Sequence, residues 1–371
     1  MFLSPCTHES RMFKEVESVI DSKICNEVVI FGLWKKGLSK MQQYSSCCKI
    51  KRISVLTSML PSNIFFSILK YIEWTVKVLI LVRRNRIKVF HAHGLKALPV
   101  CVLAKFMTGS ALIYDAHELE TEANGVKGKI KVICKIFEKL LIKFSDEVIT
   151  VSESISKYYS TQNPNIYPVV VRNVPQINNQ DLAKSNLRKK FNIPSEDILL
   201  LYLGGFIKGR GIELILNSFP SELESYHLAF IGSGVLEKKI QSNTGSRKKI
   251  YMHGSVPTDH VIAYTKEADV GLCLIEDLCL SYRFSLPNKL FEYLLAGIPV
   301  IINDLPEQRK FIEKYNCGWI LSNPVNDLRD FLKELTLKEI FEKKKGAANV
   351  ANELNWNEEV EPYLQIVKRY I

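Results

Sequence analysis

The sequence contains no C-x-x-C pair. Its nine cysteines are scattered, and its seven histidines do not cluster with them. That excludes a zinc module of ordinary ligand spacing and offers no disulfide framework. Most of the cysteines lie in apolar runs, as Cys101 does between Val100 and Val102, and read as reduced core residues of a cytoplasmic protein. No signal-like segment opens the sequence. The longest apolar stretch, Ile64 to Val82, is interrupted by Lys70, Glu73 and Lys77. It reads as an amphipathic, core-facing helix, not a membrane span. No Asp-x-Asp motif follows a strand, so no metal site is expected. Short repeats and low-complexity tracts are also absent, which excludes solenoids and disordered arrays.

What is present is an ordinary globular composition, 47% apolar and 24% charged over 371 residues. At roughly 100–200 residues per domain, two domains are expected. The formal charge of +11 is unevenly placed. Residues 1–175 hold 25 Lys/Arg against 14 Asp/Glu, and residues 176–371 hold 25 of each. The whole excess therefore lies in the first half. It suits an acidic partner surface such as a membrane or a nucleic acid. A solubilising bias in a Lys-heavy sequence explains it equally well.

Short apolar runs alternate with longer helical segments, the pattern of parallel α/β units. In the first half, strands are expected at Glu27–Phe31, Ile50–Leu56, Val89–Ala92, Ala111–Asp115, Glu147–Val151 and Tyr167–Val171. An opening strand at Met1–Pro5 would be very short. Helices are expected at Arg11–Asp21, Asn63–Asn85 and Val126–Phe144. A polar, Pro-bearing linker lies near Pro175–Asp181. Beyond it, strands are expected at Ile198–Leu203, His227–Ile231, Ile250–His253, Val270–Ile275, Pro299–Ile302 and Gly318–Leu321. Helices are expected at Gly211–Phe219, Asp259–Glu267 and Asn288–Ala296. The expected organisation is an α/β protein of two Rossmann-like, doubly wound domains facing a cleft. Residues 1–175 form the first, 176–355 the second, and 356–371 a final helix crossing back. Ligands of such sheets bind outside the carboxyl ends of the strands.

Three segments carry chemistry. The strand Leu201-Tyr202-Leu203 runs into Gly204-Gly205-Phe206-Ile207-Lys208-Gly209-Arg210-Gly211 and then a helix. Glycines let backbone amides approach a phosphate, the helix start adds positive potential, and Lys208 and Arg210 add charge. A tight turn with two solvated cations is the plain alternative. Ile231-Gly232-Ser233-Gly234 is a second, weaker strand-glycine junction. The third runs from Ser281 to Ile301. Pro287 and Asn288 suit a helix start, and Gly297 and Pro299 a stop. Lys289 in the first turn opposes the helix macrodipole unless an anion is shared there. Glu292, one turn on, can accept from a vicinal diol such as a ribose, or simply pair with Lys289.

The third segment resembles the signature of family-4 retaining glycosyltransferases of surface-polysaccharide type. Further pieces in matching order are His8-Glu9-Ser10-Arg11, Phe90-His91-Ala92-His93-Gly94, Tyr114-Asp115-Ala116-His117-Glu118, Arg172-Asn173-Val174-Pro175 and Gly254-Ser255-Val256-Pro257. The resemblance implies a GT-B fold with the acceptor side in the first domain and the donor side in the second. It implies that Glu292 binds the nucleotide ribose and that Arg210 takes the place of a phosphate-binding Lys. Lys289 and the backbone of Pro287, Asn288 and Leu290 would face the diphosphate, with Gly204, Gly205, Lys208 and Gly234 around it. His117 matches a histidine near the reacting sugar. Two positions depart from the family pattern. Phe284 stands where a second Glu is usual, leaving Ser281, Arg283 or Ser285 to take its role. Gly205 stands where an Arg is usual.

The expected activity is metal-independent, retaining transfer from a nucleotide-diphosphate sugar to a glycan or lipid-linked acceptor. His117, Arg210 and Lys289 are the catalytic candidates, and no cofactor is needed. Glu9, Arg11, His93 and Glu118 follow strands and are the acceptor-side candidates. Apolar residues 130, 133, 137, 140, 141 and 144 recur at helical spacing within Lys127–Phe144, with lysines opposite. That helix suits an anionic membrane, on the inner face of the cell membrane, or a core with a solvated Lys face. A nucleotide-sugar epimerase and an inactive partner subunit are the competing readings. No nucleic-acid motif is present.

Overall fold

The computed structural model describes all residues except Phe2, His8, Ser62, 177–184, Ser221, Arg247 and Lys248. Most of the expected linker thus lies outside the described residues. The chain divides into two compact units, Met1–Arg172 with Glu359–Ile371, and Asn173–Glu358.

The first unit runs α1 (Ser10–Asp21), β1 (Val28–Leu33), β2 (Met41–Ser45), β3 (Cys48–Ile53), α2 (Ile64–Arg83) and β4 (Val89–His93). It continues with α3 (Leu98–Thr108), β5 (Ala111–Ala116), α4 (Gly128–Leu141), β6 (Glu147–Thr150), α5 (Glu153–Gln162) and β7 (Val169–Val170). Its strands form two separate sheets, ordered β1-β3-β2 and β4-β5-β6-β7. All pairs are parallel except β2 with β3. The antiparallel β2 was not expected: Met41-Gln42-Gln43-Tyr44-Ser45 is polar and largely exposed, without the apolar signal of a buried strand. Of the expected first strand, the described residues Met1 and Leu3–Pro5 are not in a strand. Helix α3 starts with a proline in its first turn and stops at Gly109, whose φ of 72° suits a residue without Cβ.

The second unit runs α6 (Leu187–Phe191), β8 (Ile198–Leu203), α7 (Ile212–Ser218), β9 (Tyr226–Ile231), α8 (Glu237–Ser246), β10 (Ile250–His253) and α9 (Val261–Thr265). Then follow β11 (Val270–Cys273), α10 (Leu280–Arg283), α11 (Asn288–Leu295), β12 (Val300–Asn303), α12 (Pro306–Tyr315), β13 (Gly318–Leu321), α13 (Pro324–Glu334) and α14 (Leu337–Glu353). Its six strands are all parallel, in the order β10-β9-β8-β11-β12-β13. This is the doubly wound order, and the direction of winding reverses between β8 and β11. Strand β8 is buried throughout, and its residues alternate between two cores. Leu199, Leu201 and Leu203 join one with Leu290 and Leu294; Ile198, Leu200 and Tyr202 join the other with Ile212 and Leu328. Covering both faces explains why these strands read as unbroken apolar runs.

The last segment is two helices, not the single one expected. They are α15 (Trp356–Glu359) and α16 (Glu361–Lys368). Pro362 lacks an amide hydrogen and is placed in the first turn of α16, where none is needed.

Candidate functional site

In the second unit, the winding reversal puts the carboxyl ends of β8 and β11 side by side, where a ligand of this topology sits. β8 ends at Leu203, Gly204 follows with φ 117°, and the loop runs to Gly211 before α7. The loop after β9 lies directly against it. The Phe206 amide donates to the Ser233 carbonyl at 2.8 Å, and the Leu236 amide to the Phe206 carbonyl at 2.9 Å. A Cβ on Gly232 would lie 2.0 Å from the Gly204 carbonyl oxygen, and one on Gly234 2.6 Å from that of Phe206. Both glycines are therefore required by loop-on-loop packing. Gly205 differs: no heavy atom lies within 4 Å of its Cβ position, and it is exposed.

Beneath this rim are two cations. Lys289, in the first turn of α11, is buried with its Nζ 3.8 Å from the centroid of the Tyr202 ring. The Arg210 guanidinium lies 4.6 Å from the Tyr282 ring. Among the described residues, Lys289 Nζ and Arg210 Nε are both buried without a hydrogen-bond partner. Burial pushes the Lys289 ammonium down from 10.5 to about 8, and the charge of Arg210 pushes the same way, while Glu292 opposes it. Ring faces attract a cation but accept no conventional hydrogen bond. The arrangement leaves both nitrogens able to bond an anion. The Tyr202 hydroxyl donates to the Gly205 carbonyl at 3.0 Å, so one tyrosine supports both the glycine loop and Lys289. Helix α11 is itself pinned: the Tyr293 hydroxyl donates to the Leu201 carbonyl and accepts from the Leu203 amide, holding the helix to β8.

In the first unit, β4 and β5 carry His91, His93, Asp115 and His117 to one end of their sheet, and α1 brings Arg11 and Glu15. Arg11 bonds both oxygens of Asp115, at 2.9 and 3.1 Å, and the Val171 carbonyl at 2.9 Å. Glu15 lies 3.0 Å from Arg11 Nε. His93 Nδ1 is 3.2 Å from Asp115, and His91 Nδ1 is 3.2 Å from the Tyr363 hydroxyl of α16. His117 sits above this buried cluster, its side chain 30% exposed and its Nδ1 3.6 Å from Asp115 Oδ2. Burial disfavours the imidazolium of His117, but Asp115 outweighs it and the pKa is raised. Asp115 itself stays ionised: burial works against it and Arg11 prevails, holding it well below the carboxylate range. Burial pushes His93 down to about 4 and Glu15 up to about 8. Glu15, His91, His93 and Asp115 bring ligand atoms within 4.8 Å of one another, a set that can hold a metal ion by type and spacing. The guanidinium of Arg11 already occupies the cationic position between the two carboxylates.

Residues 183–351 match the family described as glycosyl transferases group 1. Over those residues the chain is similar to group 1 glycosyl transferases. Over 184 residues, 49% of this chain and 50% of the relative, the chain is 22% identical to an O-antigen biosynthesis glycosyltransferase of Escherichia coli. It thus spans about half the length of that curated relative. Among solved structures, sucrose-phosphate synthase from Thermosynechococcus elongatus superposes with a TM-score of 0.78 at 14% identity, covering 96% of this chain and 92% of that one. An Anabaena protein in complex with UDP-glucose, HepE, superposes with a TM-score of 0.70 at 11% identity, covering 98% of each. The fold is GT-B.

The matched segment contains every expected donor-side residue. Gly204, Gly205, Lys208, Gly234 and Asn288 are exposed on it, Pro287 and Glu292 half-buried, and Lys289 and Leu290 buried. Asn288 accepts from Asn173 at 2.8 Å. Of the residues suggested to replace a Glu at 284, Ser285 donates its hydroxyl to the Tyr282 carbonyl, Arg283 lies 3.7 Å from Asp277, and Ser281 is buried. On the first unit Glu118 is exposed and Glu9 half-buried, accepting from Ser4. Arg11 and His93, expected on the acceptor side, are buried in the cluster below His117. The sequence reading assigned nothing to Tyr202, Tyr282, Glu15 or His91. An aromatic residue shortly before each cation in sequence was the available signal for the first two, but each ring packs on the other segment's cation.

Proposed function

We propose that the protein transfers a sugar from a nucleotide-diphosphate donor to a glycan or lipid-linked acceptor in surface-polysaccharide assembly. The observation that carries this reading is the pair Arg210 and Lys289, two buried cationic nitrogens without hydrogen-bond partners among the described residues, beside an open glycine loop. A diphosphate supplies the oxygens they need. Gly205 leaves room for its approach, and Glu292 is the acceptor for ribose hydroxyls. UDP-glucose in the Anabaena structure makes uridine nucleotides the first donors to test.

The transfer is retaining and needs no metal ion. Retention rests on the family resemblance of the Ser281–Ile301 segment. Metal independence rests on the fixed cations, which stabilise the leaving diphosphate; one such group is worth roughly 10²–10³-fold in turnover. The bond from the anomeric carbon to the phosphate oxygen breaks as the bond to the acceptor oxygen forms on the same face. The acceptor proton passes to the leaving phosphate. His117, kept cationic more readily by Asp115, donates hydrogen bonds to the sugar or acceptor.

A membrane carries the acceptor. The apolar face of α4 is not in a core: Ile130, Ile133, Phe137 and Leu140 are each more than half exposed. Phe65, Ile68 and Ile72 on α2 and Phe106 on α3 are exposed too, and the Phe106 and Phe144 rings meet at 5.2 Å. With the positive half of the sequence here, this surface suits an anionic bilayer. No helix among the described residues is long and apolar enough to cross one.

The test is a transfer assay with UDP-, GDP- and dTDP-sugars and a lipid extract, with and without EDTA, the product anomer being read from its proton coupling constant. One donor should be consumed equally under both conditions, with its anomeric configuration kept. An inverted product, or dependence on added metal, contradicts the mechanism. No consumption of any donor contradicts the activity.

A further inference from the structure

The cluster beneath His117 holds a carboxylate whose two oxygens meet different company. Glu15 is 1% exposed, and among the described residues neither oxygen has a hydrogen-bond partner. Arg11 Nε stands 3.0 Å from Oε1 as an ion pair. Oε2 lies instead 3.8 Å from His91 Nδ1 and 3.8 Å from His93 Nε2. A carboxylate buried this deeply is costly unless cations or donors meet it.

The arrangement follows from the periods of the two elements. His91 and His93 are two apart on β4, so their side chains share one face. Arg11 and Glu15 are four apart on α1 and share one side of that helix. The two imidazole rings stack, with centroids 4.0 Å apart and 29° between their planes. Each presents a nitrogen to the same carboxylate oxygen. Asp115 is bonded through both oxygens by Arg11 and lies 3.2 Å from His93 Nδ1. As an acceptor it places the ring proton on Nδ1, and the lone pair of Nε2 is then on the side of Glu15. A carboxylate behind the far nitrogen of a histidine is the common support of a metal-bound imidazole.

We infer that Glu15 Oε2, His91 Nδ1 and His93 Nε2 form a site for one zinc ion, with Asp115 supporting His93 from behind. Two imidazoles and a carboxylate are a zinc ligand set, whereas magnesium and calcium favour shells of oxygen. A tetrahedral ion with bonds of about 2.0–2.1 Å keeps its ligand atoms roughly 3.4 Å apart. The two 3.8 Å separations reach that value by small side-chain rotations. The Tyr363 hydroxyl, 3.2 Å from His91 Nδ1, yields that nitrogen to the ion. Water takes the fourth position. Arg11 does not compete for this corner, since it meets Glu15 at the other oxygen. Arg11 and Asp115 cancel in charge, and Glu15 offsets half of the dication. The ion ties α1 to β4 under His117. It is assigned no part in sugar transfer, so the inference does not rest on the proposed function.

The test uses the whole chain, stripped with EDTA, desalted and given zinc chloride. Zinc retained after a second desalting is counted by elemental mass spectrometry, and affinity is read by calorimetry. The unaltered protein should retain a single zinc ion and melt at a higher temperature with it. Cobalt(II) in its place should show the intense visible bands of a four-coordinate ion. Glu15→Gln and His91→Phe should each weaken zinc binding at least tenfold. The pair His253→Asn and His260→Asn, on the second unit, should leave it unchanged. Failure of the unaltered protein to retain zinc overturns the inference. So does retention that Glu15→Gln and His91→Phe leave intact, or that the His253→Asn, His260→Asn pair removes, because the ion is then adventitious. Melting without metal shows whether each variant has folded. If neither cluster variant folds, the cobalt spectrum of the unaltered protein decides, and the weak bands of a six-coordinate ion overturn the site.

Discussion

Lys289 rests 3.8 Å above the ring of Tyr202, and that same tyrosine holds the Gly205 carbonyl through its hydroxyl. The contact couples the charge on α11 to the loop after β8. The free Lys289 ammonium has a pKa of about 8 against an ordinary 10.5. Because the folded value is lowered, the native state binds fewer protons than the unfolded chain between those values. This group therefore adds stability as pH rises across that window and opposes folding below it. A bound diphosphate favours the charged form. At about pH 9, binding should take up a proton, seen in calorimetry as a heat that varies with buffer ionisation enthalpy. Lys289→Met should abolish that uptake and lower turnover roughly 10²–10³-fold.

Two glycines separate packing from ligand approach. Gly232→Ala places a Cβ 2.0 Å from the Gly204 carbonyl at a φ of 147°. It should destabilise the fold by about 1–3 kcal/mol, measured by urea unfolding. Gly205→Ala meets no atom within 4 Å. It should change stability by no more than about 0.5 kcal/mol. Nucleoside diphosphate affinity should nevertheless fall, because the added methyl stands in the proposed path of the phosphate.

Asp115 sets the state of His117. Asp115→Asn should lower the His117 pKa, read by NMR titration of its ring protons. It also removes one of the two carboxylates beside the buried Arg11 guanidinium, at a cost of about 3–5 kcal/mol. Glu15 works in the opposite sense. Burial raises it from 4.5 to about 8, so the stability it contributes is present below 4.5 and lost as pH rises through about 8. Glu15→Gln should remove that loss, flattening the melting temperature between these values.

Much of the candidate site in the second unit was legible because its signals are local. A strand, a glycine loop and a helix start are consecutive in Leu201–Ile212, and the same holds for Leu286–Ile301. The cluster under His117 was not. Arg11 and Asp115 are 104 positions apart, and neither local segment points to the other. The run Ile64–Val82 was read as facing a core with one side. Helix α2 is instead apolar on both sides: Trp74, Val78 and Val82 are buried, and Ile68, Ile72 and Val76 are exposed. Composition cannot distinguish these faces when both are greasy.

Exposure of α4 gives a clean separation of binding from folding. Ile133→Asp with Phe137→Asp should abolish co-sedimentation with vesicles containing anionic lipid. Since both side chains are exposed, unfolding free energy should shift by no more than about 0.5 kcal/mol per site. Binding of the unaltered protein should weaken with salt. Retention on neutral vesicles at high salt would mean that charge plays no part.

The most direct test of the donor site is a thermal-shift series with UDP, GDP, ADP, CMP and dTDP on the unaltered protein and on Glu292→Ala. A ligand specific to the folded state at a hundredfold excess over its Kd adds about 2.7 kcal/mol. One nucleoside diphosphate should raise the melting temperature of the unaltered protein, and the shift should be lost in Glu292→Ala. No shift with any nucleotide, or an undiminished shift in the variant, would contradict the placement of the donor on Arg210, Lys289 and Glu292.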